Sequence, residues 1–190
     1  LHELFEEFVQ ELIQQKRLPT FAGDWPTLKA LLERKIQTYR ELTPPPNSHA
    51  FERQKHELEQ IAATFLREEE RFCVQEESRP VFLEASLGME QTDGHSTPLD
   101  TEEPIPLSLS DGRVIRIKGR VDRIDRLGSE GAQTFGIWDY KTGSTWGFNQ
   151  AEPFQQGRKI QPYLYVTMVS HCLRRHVGPK AQVRYFGFFF

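Results

Sequence analysis

The chain has 190 residues, 37% of them hydrophobic and 12% aromatic, enough to bury one full core. Its net charge of −3 gives no global positive field, so any nucleic-acid footprint has to be local. No apolar run reaches membrane-spanning length, no basic segment leads into an apolar stretch at the start, and two cysteines, Cys73 and Cys172, cannot staple a domain of this size; a reducing, cytoplasmic setting without a membrane is expected.

In chain order, Leu1, Leu4, Phe5, Phe8, Val9, Leu12 and Ile13 follow the helical period and predict an amphipathic helix, with His2 near its beginning. Asp24-Trp25-Pro26 has the form of an N-cap followed by a first-turn proline, opening a helix over 27–42 that the following prolines break. A longer helix is predicted over 50–76, with Ala62, Phe65 and Leu66 on its buried side and Glu68, Glu69 and Glu70 outside. Residues 17–79 read as a helical insertion, to which no chemistry is assigned.

Residues 80–88 are the first strand. Val81, Leu83, Ala85 and Leu87 share one face and Phe82, Glu84 and Ser86 the other, so Glu84 either faces solvent or meets a positive partner. Residues 89–106 read as an excursion between strands, and Asp111-Gly112 as a tight turn. Residues 114–125 alternate as one strand, in which Gly119 admits a close approach. Arg113, Arg116, Lys118, Arg120, Arg123 and Arg126 make this stretch basic; the plain reading is a solvated face, with one or two residues enough to hold a phosphate. Arg158, Lys159, Arg174, Arg175 and Lys180 are further basic candidates.

The turn Gly128-Ser129-Glu130-Gly131 joins this strand to a second one ending at Tyr140, as a hairpin. A loop over 142–149 carries Trp146 and Phe148, with Trp146 read as packed. A helix follows Pro153 and runs to about Cys172, and 182–190 forms a last strand interior to the sheet. The order is helix, inserted helices, three strands, helix, strand. That is an α/β (α+β) chain with a mixed sheet flanked by helices.

The hairpin concentrates the chemistry. Asp122 lies in its first strand, and Asp139 and Lys141 close its second. Side chains two apart on a strand share a face, so Asp139 and Lys141 look out together while Tyr140 turns away. Pairing brings Asp122 toward Asp139, and two adjacent carboxylates repel unless a cation such as Mg²⁺ or Mn²⁺ sits between them. On this spacing alone a surface hairpin with scattered salt bridges stands as an equal reading. Gln161 and Tyr165 lie four apart on one helix face.

Gly119-x-x-Asp122, then Asp139-Tyr140-Lys141, then Gln161-x-x-x-Tyr165, ordered on strand, strand and helix, resembles the RecB-type nucleases of the PD-(D/E)xK superfamily. That group includes the nuclease domains of bacterial recombination helicase-nucleases and CRISPR-associated exonucleases. The resemblance covers nearly the whole chain, taken as a single domain over 1–190, and implies a restriction-endonuclease-like α-β-β-β-α-β core. It implies a metal-dependent deoxyribonuclease, an exonuclease of DNA repair or recombination, with Asp122, Asp139, Lys141, Gln161 and Tyr165 catalytic. Mg²⁺ or Mn²⁺ would be held by Asp122, Asp139 and the carbonyl of Tyr140, with His2 and Glu84 as further ligands.

From the residues alone His2 is a frayed terminal histidine; Glu6, four residues on, fits the second half of the group's G-x-x-x-H-x-x-x-E pattern. The partners implied are DNA, single-stranded or at duplex ends, and a helicase domain or subunit. Some relatives hold an iron–sulfur cluster through four cysteines, and with two none is expected within this stretch. The missing initial methionine and the Phe188-Phe189-Phe190 end point to a piece of a longer protein. Two other classes fit the residues: a nuclease-fold module that binds without turnover, and a small-molecule phosphohydrolase using the same carboxylates.

Overall fold

The computed structural model describes residues 1–45, 47–91, 96–141 and 160–189. The chain divides into two compact units, Leu1–Ser78 and Arg79–Phe190.

The first unit is helical: α1 (His2–Gln15), α2 (Phe21–Leu42) and α3 (Ser48–Gln75). The periodic positions of α1, Leu4, Phe5, Phe8, Val9 and Leu12, are buried as the pattern requires. Phe5 stacks on Phe65 of α3 with ring centroids 3.9 Å apart. Helix α2 begins at Phe21, ahead of the expected Thr27. The reason is Asp24, which lies inside the first turn and reaches back to the amide of Thr20 (2.7 Å) while accepting two bonds from the Arg17 guanidinium (2.9 and 2.6 Å). Helix α3 starts where the Asn47 side chain accepts from the amides of His49 and Ala50. Glu69, expected outside, is buried, and the Cys73 thiol donates to it over 3.5 Å.

The second unit carries β1 (Ser78–Leu87), β2 (Ile105–Ser108), β3 (Val114–Ile117), β4 (Gly119–Leu127), β5 (Thr134–Tyr140), α4 (Gln161–His176) and β6 (Gln182–Phe189). Its main sheet has the order β1-β4-β5-β6, with β4 and β5 antiparallel and β5 and β6 parallel. The crossover from β5 to β6 contains α4. A mixed sheet with this succession of strands and helix is the one expected.

Three details differ. The strand read over 114–125 breaks at Lys118: its first part, β3, leaves the main sheet and pairs with β2, Ile105 opposite Ile117. Ile105, Leu107 and Ile117 are buried, which is why part of the supposed excursion became a strand. The hairpin closes through Asp111-Gly112, with Gly112 at φ 82°. And β6 stands at the end of the described sheet, not in its interior. Ile124, Phe135 and Ile137 of the sheet meet Met168, Val169, Cys172 and Leu173 of α4 in the core. Burial there pushes the Cys172 thiol up to about 11. Cys73 is buried as well and forms no disulfide. Among the described residues no helix is long and apolar enough to cross a membrane.

Candidate active site

The β4–β5 hairpin sets the frame. Its turn has Gly128 and Gly131 at positive φ (86° and 95°), and its register pairs Arg123 with Trp138 and Ile124 with Ile137. One step further, Oδ2 of Asp122 accepts the amide N–H of Tyr140 over 2.8 Å. The first carboxylate is thus held against the backbone between Asp139 and Lys141. Asp139 is buried and forms an ion pair with the part-exposed ammonium of Lys141, as two residues sharing a strand face can. Tyr140 turns the other way, and its hydroxyl accepts from Nη1 of Arg123 at 3.2 Å.

Helix α4 brings in the second half of the pattern. Nε2 of Gln161 donates to the Tyr165 hydroxyl over 3.0 Å and reaches Oδ1 of Asp139 at 3.5 Å. Gly119 explains how the helix comes this close. A Cβ there would lie 3.1 Å from Met168 Cε and 3.4 Å from Tyr165 Cε1, so the motif glycine is where α4 side chains rest on β4. Burial raises the Tyr165 phenol, and its bond from Gln161 opposes this; the charges of Asp139 and Asp122 raise it further and Lys141 opposes. One phenol therefore senses both carboxylates and the lysine. Asp122, Asp139, Lys141, Gln161 and Tyr165 form a single cluster drawn from β4, β5 and α4.

Glu84 joins from β1. It is buried, and its backbone is left-handed (φ 51°), a conformation that costs a non-glycine residue about 1–3 kcal/mol and persists only where surroundings impose it. A carboxylate oxygen of Glu84 and one of Asp122 lie within 4.8 Å of each other. Oxygen donors of this kind suit a hard cation such as Mg²⁺ or Mn²⁺ and not a soft one. His2 opens α1 in the first unit. Trp146, Phe148, Arg158, Lys159 and the expected start of the last helix after Pro153 lie outside the described residues.

One basic candidate has another role. Arg123 is fully buried and touches no solvent. Its Nε and Nη2 donate to the two oxygens of Asp125 (2.6 and 2.7 Å), and Trp138 Nε1 donates to the same carboxylate at 3.1 Å. This network, on the sheet face opposite Asp139, was hidden in a run of charges. The signal was the Arg-x-Asp spacing, which puts opposite charges on one strand face. Gly187 of β6 belongs to it too, since a Cβ there would fall 2.1 Å from Trp138 Cζ3. Arg113, Arg116, Lys118, Arg174, Arg175 and Lys180 are exposed.

No curated protein matches the chain. Residues 1–188 match the PD-(D/E)XK nuclease superfamily, a group whose members are generally nucleases and typically use divalent metals. With a match over nearly its whole length, a mixed sheet crossed over by α4, and the ordered acidic, basic and amide side chains on β4, β5 and α4, this chain belongs to the PD-(D/E)XK nuclease superfamily.

Proposed function

We propose that the chain is a metal-dependent deoxyribonuclease of the RecB type, an exonuclease of DNA repair or recombination working beside a helicase domain or subunit in the cytoplasm. The observation that carries this reading is the chain of contacts from Lys141 to Asp139, from Asp139 to Gln161, and from Gln161 to Tyr165. It joins the strand motif to the helix motif in one cluster.

Asp122, Asp139, Glu84 and the Tyr140 carbonyl would hold Mg²⁺ or Mn²⁺, and the sequence motif alone adds His2 as a further ligand. When bound, such a cation polarises a phosphoryl oxygen and lowers the pKa of a coordinated water. The chain's own groups do the rest. Lys141, kept close by Asp139, orients the attacking water or neutralises charge growing on the scissile phosphate. Nε2 of Gln161 donates a hydrogen bond to the Tyr165 oxygen, which leaves the phenol O–H to donate to a phosphate oxygen or to water. Exposed Arg113 and Arg116 offer local phosphate contacts despite the net negative charge.

The test is cleavage of end-labelled single-stranded and duplex DNA with Mg²⁺, with Mn²⁺ and with EDTA. Metal-dependent shortening from the labelled or unlabelled end supports the exonuclease. A folded chain that binds DNA and cleaves none with either metal would make it a silent binding module.

A further inference from the structure

We propose that Phe188 of β6 is a positioning residue for Lys141, an inference that rests on the nuclease reading above. The register of the parallel pair puts Phe188 beside Asp139 and Phe186 beside Ile137. Directly paired residues on neighbouring strands project to the same face, and Lys141 follows Asp139 by two. Phe188 therefore stands on the face that carries Asp139 and Lys141. The contact follows: Nζ of Lys141 lies 5.5 Å from the centre of the Phe188 ring, inside the reach of a cation–π attraction.

The backbone adds a second hold. Beyond the last strand pair, the amide of Lys141 donates to the carbonyl of Phe189 over 2.6 Å. Strand β6 thus fixes the lysine at its main chain, Asp139 fixes its ammonium from one side, and Phe188 covers it from another. A long flexible side chain with a strongly hydrated head would otherwise sample many rotamers. The same ring continues toward α4: Phe186 meets Phe188 edge-on at 5.1 Å, and Phe186 meets the Tyr165 ring at 6.2 Å. An aromatic row on β6 links the two ends of the cluster. Phe188 acts through the lysine.

The experiment compares the wild-type chain with Phe188→Leu, Phe188→Tyr, Lys141→Ala and the double variant Phe188→Leu/Lys141→Ala, in single-turnover DNA cleavage at saturating metal. Phe188→Leu should slow cleavage roughly five- to tenfold, Phe188→Tyr should stay within about twofold of wild type, and Phe188→Leu should cost nothing more once Lys141 is alanine. A readout independent of activity accompanies it. In NMR spectra of lysine-labelled protein, the Lys141 Hε signals, assigned by their loss in Lys141→Arg, should lie upfield from ring current and return to ordinary positions in Phe188→Leu. Equal losses in both backgrounds, unchanged rates in Phe188→Leu, or unshifted Lys141 signals in the wild type would overturn the proposal. A wild-type chain that cleaves nothing with any metal, its Lys141 signals still shifted, would instead remove the nuclease reading and the positioning role with it.

Discussion

Asp122 accepts the amide proton of Tyr140 over 2.8 Å, so one strand's carboxylate is anchored to the backbone between the other strand's Asp139 and Lys141. The bond orients Asp122 through one carboxylate oxygen. Asparagine in its place still offers an oxygen to the amide. Asp122→Asn is therefore expected to keep its stability within about 1 kcal/mol while cleavage falls on the order of a hundredfold or more. Thermal melting beside single-turnover assays checks both halves. A large loss of stability with little loss of rate would make Asp122 a structural residue.

The motif glycine makes a separate prediction. In Gly119→Ala the new methyl meets Met168 Cε at 3.1 Å and the Tyr165 ring at 3.4 Å. The methionine end is the tighter contact and can yield by a few tenths of an ångström, while the ring stays at contact distance. The substitution should cost no more than about 1 kcal/mol in denaturant unfolding and leave the cleavage rate within a few-fold of wild type. A loss of several kcal/mol, or of most of the rate, would show that Met168 cannot give way and that α4 has been displaced.

The buried pair behind the site predicts stability effects. Arg123 and Asp125 are both inaccessible and joined by two hydrogen bonds, so removing either partner strands a charge. Asp125→Ala should destabilise the second unit by about 3–5 kcal/mol, far more than a surface ion pair. Arg123→Lys should also be destabilising, since an ammonium cannot reproduce the fork that spans Asp125 and the Tyr140 hydroxyl. Chemical denaturation of the two variants gives the comparison. Near-wild-type stability of Asp125→Ala would contradict this account.

The helical unit has its own pH signature at Asp24. Burial pushes this carboxyl up, but the Arg17 fork and the Thr20 amide and hydroxyl outweigh burial and hold it below the usual carboxylate range. A depressed folded pKa means that the contribution is present above the unfolded value near 3.8 and is lost as pH falls through the lower folded value. Helical circular dichroism during acid titration should fall in that window for the wild type. Asp24→Asn should be less stable at neutral pH and less sensitive to acid in the same range. An identical acid limb in both proteins would refute it.

How much of this was legible follows from the residues. Period-two placement of Asp139 and Lys141, and the four-residue step from Gln161 to Tyr165, are geometric, and both appear as contacts. The break at Lys118 was not legible. Alternation runs through it, and only the burial of Ile105, Leu107 and Ile117 against the core decides that β3 pairs with β2. Arg123 and Glu69 were read as exposed because charge ordinarily means solvent, whereas Asp125 neutralises the first and tertiary packing encloses the second. The left-handed backbone of Glu84 has no sequence signal at all, since nothing but its surroundings can impose it.

If Asp139 and Lys141 serve one hydrolytic site, removing either side chain has the same consequence for cleavage. Single-turnover cleavage of end-labelled DNA at saturating Mn²⁺, with wild type, Asp139→Ala and Lys141→Ala compared in parallel, tests it most directly. Metal-dependent cleavage by the wild type is expected, with a loss on the order of a hundred- to a thousandfold in each variant and both proteins folded. Cleavage by either folded variant at the wild-type rate would contradict it.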